Sequence, residues 1–111
     1  MVSARVANIR RYGLYWANLD PTRGSEIAKT RPVLVVSPDA MNQRVDTVVV
    51  CPLTSQLHPQ WASRVACDCD GRPSEVAVDQ IRTVSKSRLG KLDSATAAEV
   101  RAVIRLLYAE I

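Results

Sequence analysis

A chain of 111 residues has the size of one domain, and its 47% apolar and 23% charged residues are ordinary for a globular protein. The 15 Lys and Arg exceed the 11 Asp and Glu, and the resulting net charge of +4 is compatible with a polyanionic partner. Arg5 breaks the apolar start, and no apolar run approaches the ~20 residues of a membrane span, so one cytoplasmic domain over residues 1–111 is expected.

The first half of the chain predicts three strands. The segment "YGLYWANLD" alternates, with Leu14 and Trp16 on one face, and stops at the turn-forming pair Asp20-Pro21. The segments "PVLVVSP" and "TVVVCPL" are continuous β-branched runs, which favours strands that are buried on both faces. Pro32 is expected to open the first run and Pro52 to interrupt the second. Between these runs, "DAMNQRVD" predicts a single helical turn.

The second half predicts further strands and one helix. In "ASRVACDC" the alternation places Val65, Cys67 and Cys69 on one face, before the turn "DGRP". The segment "SEVAVDQIRTVS" predicts a strand that bends near Asp79-Gln80. The period then changes, and a helix is predicted from about Ser94 to Ala109. Five or six short strands and a terminal helix predict a mainly β fold, a small antiparallel barrel whose site lies on its outside.

The loop between the first two predicted strands, Asp20 to Arg31, is the first candidate site. A loop of about a dozen residues is long for a compact domain. It concentrates three cations, one carboxylate and a glycine: Arg23, Lys29, Arg31, Glu26 and Gly24. Because Arg31 precedes proline, its backbone is extended and its direction partly fixed, which suits a bidentate phosphate contact. An arginine that pairs with Glu26 or is simply solvated fits the same residues equally well.

Polar residues after the predicted strand "TVVVCPL" form a second candidate region. Hydroxyls of Thr54 and Ser55 can donate to a phosphate oxygen, and they also suit an ordinary turn. His58 is the one histidine and can serve acid–base chemistry, although a solvated loop histidine is commoner. Trp61 can stack on an unpaired base or close the rim of the barrel.

The cysteines do not have the spacing of a zinc site. Cys51, Cys67 and Cys69 contain no Cys-x₂₋₄-Cys pair, and an odd number of cysteines cannot pair fully within one chain. We therefore expect buried thiols, no metal and no cofactor.

Four motifs in this order resemble the MazF/PemK family of toxin endoribonucleases: the loop "GSE", "TRP" before an aliphatic strand, "PLTS" after the next, and "DQIR". The resemblance covers the chain from about Tyr12 to the final helix. It implies a homodimeric SH3-like barrel that cuts single-stranded messenger RNA at short sequences without a metal. It also implies an acidic antitoxin that folds onto the basic groove and excludes RNA.

The resemblance also implies roles for individual residues. It makes Arg31 and Thr54 catalytic, and it places Glu26 and Gln80 on the acidic and glutamine positions of the groove. The implied reaction is attack by the RNA 2′-OH on the adjacent phosphorus, which leaves a cyclic phosphate and a free 5′-OH. Arginine is a poor base because its pKa is above ~12, so Arg31 is assigned as clamp and acid, Thr54 as donor and Glu26 as first candidate base. The expected substrate groove comprises Arg23, Gly24, Ser25, Lys29, Ser55, Gln56, Gln80, Arg82 and Lys86.

Two other functions remain open from the sequence. One is a toxin on the same barrel that poisons a topoisomerase such as gyrase, which would not need Arg31 or Thr54. The other is a nucleic-acid-binding barrel without catalysis.

Overall fold

The computed structural model describes residues 8–69 and 71–92, and this part of the chain is mainly β. Its strands are β1 (Leu14–Asn18), β2 (Thr30–Val35), β3 (Thr47–Thr54), β4 (Arg64–Cys69), β5 (Arg72–Ala77), β6 (Arg82–Ser85) and β7 (Leu89–Lys91). The predicted helical turn is confirmed as α1 (Asp39–Asn42). The predicted helix from Ser94 to Ala109 lies outside the described residues.

The predicted bend at Asp79-Gln80 is confirmed and explains why the strands exceed the predicted five or six. A 3₁₀ turn, Val78–Gln80, divides the segment into β5 and β6, and a second one, Lys86–Arg88, leads into β7. Strand β2 begins at Thr30, two residues before Pro32, whereas the sequence predicted that Pro32 would open it. In the described residues no helix is long and apolar enough to cross a bilayer.

The strands pair in the order β4-β5-β3-β2-β1-β7, and β6 pairs with β3. All of these pairs are antiparallel, as predicted. The sheet differs from the predicted barrel because no ladder closes it within residues 8–69 and 71–92. One edge of β3 is divided between two partners, since Thr47 to Val50 pair with β6 while Leu53 and Thr54 pair with β5.

Strand β3 continues through Pro52, which the sequence predicted would interrupt it. Pro52 lies opposite Val33 of β2 on one edge. On the other edge it falls in the gap between the β6 and β5 ladders, where no N–H is required of it. Thr54 therefore still belongs to a strand, and Ser55 is the first residue after it.

Side chains of β1, β2 and β3 alternate between two apolar cores, one on each side of the sheet, which confirms the predicted burial on both faces. Core I contains Ile9, Tyr15, Ala17, Leu19, Val33, Val35, Val48, Val50, Val84 and Leu89. Core II contains Leu14, Leu34, Val36, Cys51, Leu53, Val65, Cys69, Val76 and Val78. Because β2 and β3 are packed on both faces, their ends have a fixed position relative to each other.

Cys51 offers a chemical test of core II. Burial, with a smaller contribution from the negative charge of Asp79, raises the pKa of the Cys51 thiol from 9.0 to about 12. The thiolate is the form that reacts with alkylating reagents. Because the pKa is raised, the fraction of Cys51 that is thiolate at pH 8 is about a thousandfold smaller. We expect native protein to leave Cys51 unmodified by iodoacetamide at pH 8, and urea-unfolded protein to be modified, as measured by peptide mass spectrometry. Equal labelling in both states would contradict the buried position.

Candidate active site

An open cavity of about 410 Å³ lies beside Arg31, where the start of β2 meets the end of β3 and the β4–β5 hairpin. We call it the Arg31 cavity. The residues that line it are Trp16, Thr30, Arg31, Pro32, Leu53, Ser55, Cys69, Arg72 and Ser74. It combines two guanidinium groups with the hydroxyls of Thr30 and Ser55, which are suitable donors to a phosphate.

Arg31 is half-buried at the second position of β2. Its Nε–H donates to the carbonyl oxygen of Ala28 at 3.2 Å, which uses one of five guanidinium N–H groups and fixes the orientation of the plane. Within the described residues both ion pairs belong to Arg64, so the alternative pairing of Arg31 with Glu26 is not observed. The predicted pre-aimed arginine is therefore present at the cavity.

Thr54 lies at the adjoining end of β3. The β2–β3 ladder runs from Val35–Val50 to Val33–Pro52, and the same register extended by two residues along each strand would place Arg31 opposite Thr54. Thr54 is buried, and its Oγ1 accepts the backbone N–H of Gln56 at 3.0 Å, which leaves the hydroxyl proton for donation. Ser55 follows it into the wall of the Arg31 cavity, while Gln56 is exposed beyond it.

The hydrogen bonds of Glu26 are made within its own loop, and they do not connect it to Arg31. Its Oε1 accepts the N–H of Arg23 at 2.6 Å, and its own N–H donates to the Arg23 carbonyl at 3.1 Å. Gly24, between them, has a φ of 57°, which a residue without Cβ adopts without strain. Glu26 therefore stabilises the tip of its own loop and is not among the residues that line the Arg31 cavity.

Gln80 clamps the same loop from the 3₁₀ turn. Its Oε1 accepts the N–H of Ile27 at 2.7 Å and its Nε2 donates to the carbonyl of Ser25 at 3.0 Å. A second cavity of about 480 Å³, the loop cavity, lies beside this clamp. It is lined by Ser25, Glu26, Asp79, Gln80, Ile81 and Arg82. The predicted acidic and glutamine positions thus lie together, in a cavity that Arg31 does not line.

The other predicted groove cations are distributed around the molecule. Arg23 and Lys29 are exposed on the loop. Arg82 is half-buried, and its Nη1 donates to the Leu19 carbonyl at 3.1 Å, which ties β6 to the end of β1. Lys86 donates its backbone N–H to Asp46 at 2.8 Å, beside the start of β3. Asp46 precedes Thr54 by eight residues along β3, roughly 26 Å at 3.3 Å per residue, so Lys86 lies far from the Arg31 cavity.

Sequence reasoning missed Arg64, which connects the segment after Thr54 to β5. Its Nη1 donates to Glu75 Oε1 at 3.2 Å and to the Gln56 carbonyl at 3.1 Å, while its Nε donates to Asp79 at 3.0 Å. Glu75 is buried directly across the ladder from Thr54. The one available signal was a glutamate inside the otherwise buried run "SEVAV", since a buried carboxylate requires a partner.

His58 and Trp61 pack against each other in this segment. Their rings are parallel within 7° at a centroid distance of 3.9 Å, and the Arg64 guanidinium lies 4.8 Å over the Trp61 ring. The backbone N–H of His58 donates to Glu75 at 2.8 Å. Neither ring is among the residues that line the Arg31 cavity, and their stack packs the segment after Thr54 against Arg64.

Residues 8–69 and 71–92 contain no cluster of three or more His, Cys, Asp or Glu side chains that could hold a metal ion. Cys51 and Cys69 are buried in core II, and Cys67 packs against it.

The fold and the cavity define a small antiparallel β protein suited to bind a phosphodiester. The sequence matches the family described as PemK-like, MazF-like toxin of type II toxin-antitoxin system over residues 10–108. The chain belongs to this family.

Individual relatives agree with that assignment. The endoribonuclease EndoA of Bacillus subtilis is 35% identical over 86 residues, which cover 73% of this chain and 74% of the relative. The endoribonuclease PemK of Escherichia coli is 37% identical over 92 residues, which cover 78% of this chain and 69% of the relative. The crystal structure of MazF from Deinococcus radiodurans superposes with a TM-score of 0.77 at 31% identity, covering 91% of this chain and 96% of that one.

A MazE-MazF complex from Deinococcus radiodurans is also similar, with a TM-score of 0.73 at 30% identity. The match covers 94% of this chain and 98% of that one.

Proposed function

We propose that this toxin is an endoribonuclease that cleaves single-stranded RNA, chiefly messenger RNA, in the Arg31 cavity. The observation that carries the proposal is the half-buried, anchored Arg31 in the wall of an open cavity that is also lined by Leu53 and Ser55, the residues on either side of Thr54. The relatives at 35% and 37% identity are endoribonucleases, which favours RNA cleavage over topoisomerase poisoning or binding without catalysis.

The proposed reaction is an internal transesterification. A general base takes the proton of the 2′-OH, the 2′-oxygen attacks the adjacent phosphorus, the bond from phosphorus to the 5′-oxygen breaks, and the 5′-oxygen takes up a proton, which leaves a cyclic phosphate and a 5′-OH. Arg31 stabilises the negative charge that develops on the phosphoryl oxygens, and its rigid placement on β2 makes this stabilisation effective. The hydroxyl of Thr54 donates a hydrogen bond to a non-bridging oxygen of the phosphate. Arg31 is also the proposed acid toward the leaving 5′-oxygen.

The identity of the base is tested at Glu26, whose carboxylate caps its own loop. The amide of Glu26→Gln can still accept the Arg23 N–H but cannot take a proton, whereas Glu26→Ala loses both abilities. We expect Glu26→Gln to retain most cleavage and Glu26→Ala to lose more, as measured by initial rates from pH 5 to 9. A loss of about 10²-fold or more in the glutamine variant, with loss of the acidic limb of the profile, would assign the base to Glu26.

The proposed setting is the cytoplasm, where the chain acts as a homodimer and is neutralised by an acidic antitoxin. The similarity to a MazE-MazF complex at 30% identity supports such a partner. A cation-lined cavity attracts an acidic segment for the same reason that it attracts RNA, so occupancy by one excludes the other.

The test incubates purified protein with a long single-stranded RNA in excess EDTA and maps the new ends. We expect cleavage at a short recurring sequence, with cyclic phosphate and 5′-OH ends. Loss of cleavage in EDTA that returns with Mg²⁺ would overturn the metal-free mechanism. RNA binding without cleavage under any condition would favour a binding module, and inhibition of gyrase without RNA cleavage would favour the topoisomerase poison.

A further inference from the structure

Trp16 is an exposed tryptophan on β1, with 42% of its surface accessible. Its cross-strand neighbours are Pro32 on β2 and Gly90 on β7. Glycine has no side chain and proline only a short ring, so neither covers the indole as a long side chain would. The result is a broad aromatic surface that core packing does not require.

Trp16 and Thr30 are shared by two cavities. One is the Arg31 cavity. The other, of about 490 Å³, we call the β7 cavity, and it is lined by Trp16, Ala17, Asn18, Thr30, Ser87, Arg88, Gly90 and Lys91. Because the two cavities meet at the indole, they form one groove with Trp16 at its centre.

The charges along this groove are of one sign. Arg31 and Arg72 lie on one side of Trp16, and Arg88 and Lys91 lie on the other. The described residues that line the two cavities include no carboxylate, whereas the loop cavity contains Glu26 and Asp79. A polyanionic strand is therefore favoured along the Trp16 groove over the loop cavity.

Arg88 is fixed in place within the β7 cavity. Its Nη1 donates to the carbonyl of Asn18 at 3.2 Å and to that of Asp20 at 2.6 Å, so one guanidinium nitrogen anchors it to the end of β1. A guanidinium anchored by one nitrogen presents a rigid positive charge with further N–H donors. The groove thus has fixed arginines on both sides of the indole, since Arg31 is also anchored.

We propose that Trp16 is the platform on which one unpaired base stacks beside the scissile phosphate, while the RNA backbone runs from Arg72 and Arg31 to Arg88 and Lys91. This inference rests on the proposed RNA cleavage. Stacking of a base on an indole combined with backbone contacts to cations is the usual means of holding a single strand. It assigns RNA binding to the β1–β7 side of the molecule, and not to Lys86 or the loop cavity.

Trp61 provides a matched control, because the chain has two tryptophans and both are exposed. Trp61 is already stacked on His58. In Trp61→Phe the sole indole is Trp16, and in Trp16→Phe it is Trp61. Each variant is titrated with a fully 2′-O-methylated RNA of the cleaved sequence, which lacks the attacking hydroxyl. We expect RNA to quench the fluorescence of Trp61→Phe strongly and that of Trp16→Phe little.

Affinity gives a second readout. We expect Trp16→Leu to weaken RNA binding about 10-fold and to raise KM more than it lowers kcat, and Trp16→Phe to restore most of the binding because it keeps a stacking surface. Lys91→Gln is expected to lower the slope of log Kd against log salt by about 0.7, as for one lost phosphate contact to a single strand. Arg44→Gln, at an exposed arginine outside the groove, should leave that slope unchanged. Thermal melting checks that each variant is folded.

Three outcomes would overturn the inference. The first is tight RNA binding without quenching of Trp16, and the second is unchanged affinity in Trp16→Leu. The third is quenching of Trp16 by an acidic peptide but not by RNA, which would assign the groove to a protein partner. In contrast, wild-type protein that neither binds nor cuts RNA would refute the proposed function itself.

Discussion

Arg31→Ala is expected to lower the rate of RNA cleavage by about 10²–10³-fold, the usual cost of removing one donor that stabilises transition-state charge. Arg31 is half-buried at the start of β2 and donates one hydrogen bond, to the carbonyl of Ala28. The free energy of unfolding should therefore change by only about 1 kcal/mol. Single-turnover cleavage and urea denaturation measure the two effects separately.

The control for this prediction is Arg31→Lys, which keeps the charge but loses the planar pair of donors. We expect its binding of 2′-O-methylated RNA to stay near that of the wild type while its cleavage remains strongly reduced. Cleavage by Arg31→Ala at the wild-type rate would remove Arg31 from the mechanism. A variant that binds and cleaves equally poorly would indicate a role in binding alone.

Arg64→Met is expected to lower the free energy of unfolding by about 3 kcal/mol, because it leaves the carboxylate of Glu75 buried without its cation. The side chains of Arg64 and Glu75 are 6% and 4% exposed, so solvent screens this pair little. The same substitution removes the donor to the Gln56 carbonyl and should also reduce cleavage by loosening the segment after Thr54. Urea denaturation with parallel cleavage assays measures both effects.

Two variants separate the buried pair from a general effect of losing an arginine. The double variant Arg64→Met/Glu75→Gln removes both charges, and we expect it to recover part of the lost stability. The exposed arginine in Arg44→Met should leave stability within about 0.5 kcal/mol of the wild type. A double variant as unstable as the sum of its single variants would show that the two side chains are not coupled.

The strands were predictable because local patterns determine them, whereas Arg31 and Thr54 were assigned to the site by resemblance to the MazF/PemK family, since their local patterns equally suit a solvated arginine and an ordinary turn. Continuous β-branched runs identified β2 and β3, and a proline after Arg31 indicated an arginine at a strand start. In an antiparallel pair the start of one strand lies beside the end of the next, which is consistent with Arg31 at the start of β2 and Thr54 at the end of β3.

Other features were not predictable because they depend on register and on contacts between distant segments. Lys86 follows Gln80 closely in sequence, but β6 runs along β3 away from the Thr54 end and carries Lys86 with it. Trp16 alternates like a core residue, and only its pairing with Gly90 explains its exposure. Gln80 was expected to line the substrate groove, and only the fold shows that it clamps Ser25 and Ile27.

The pairing of β1 with β7 has a consequence during protein synthesis. Strand β1 is translated early, yet its outer neighbour β7 is not available until Lys91 has left the ribosome. Arg88 and Lys91, half of the cations around Trp16, arrive at the same late moment. A nascent chain therefore lacks the β7 side of the Trp16 groove, and two of its four cations, until Lys91 has emerged.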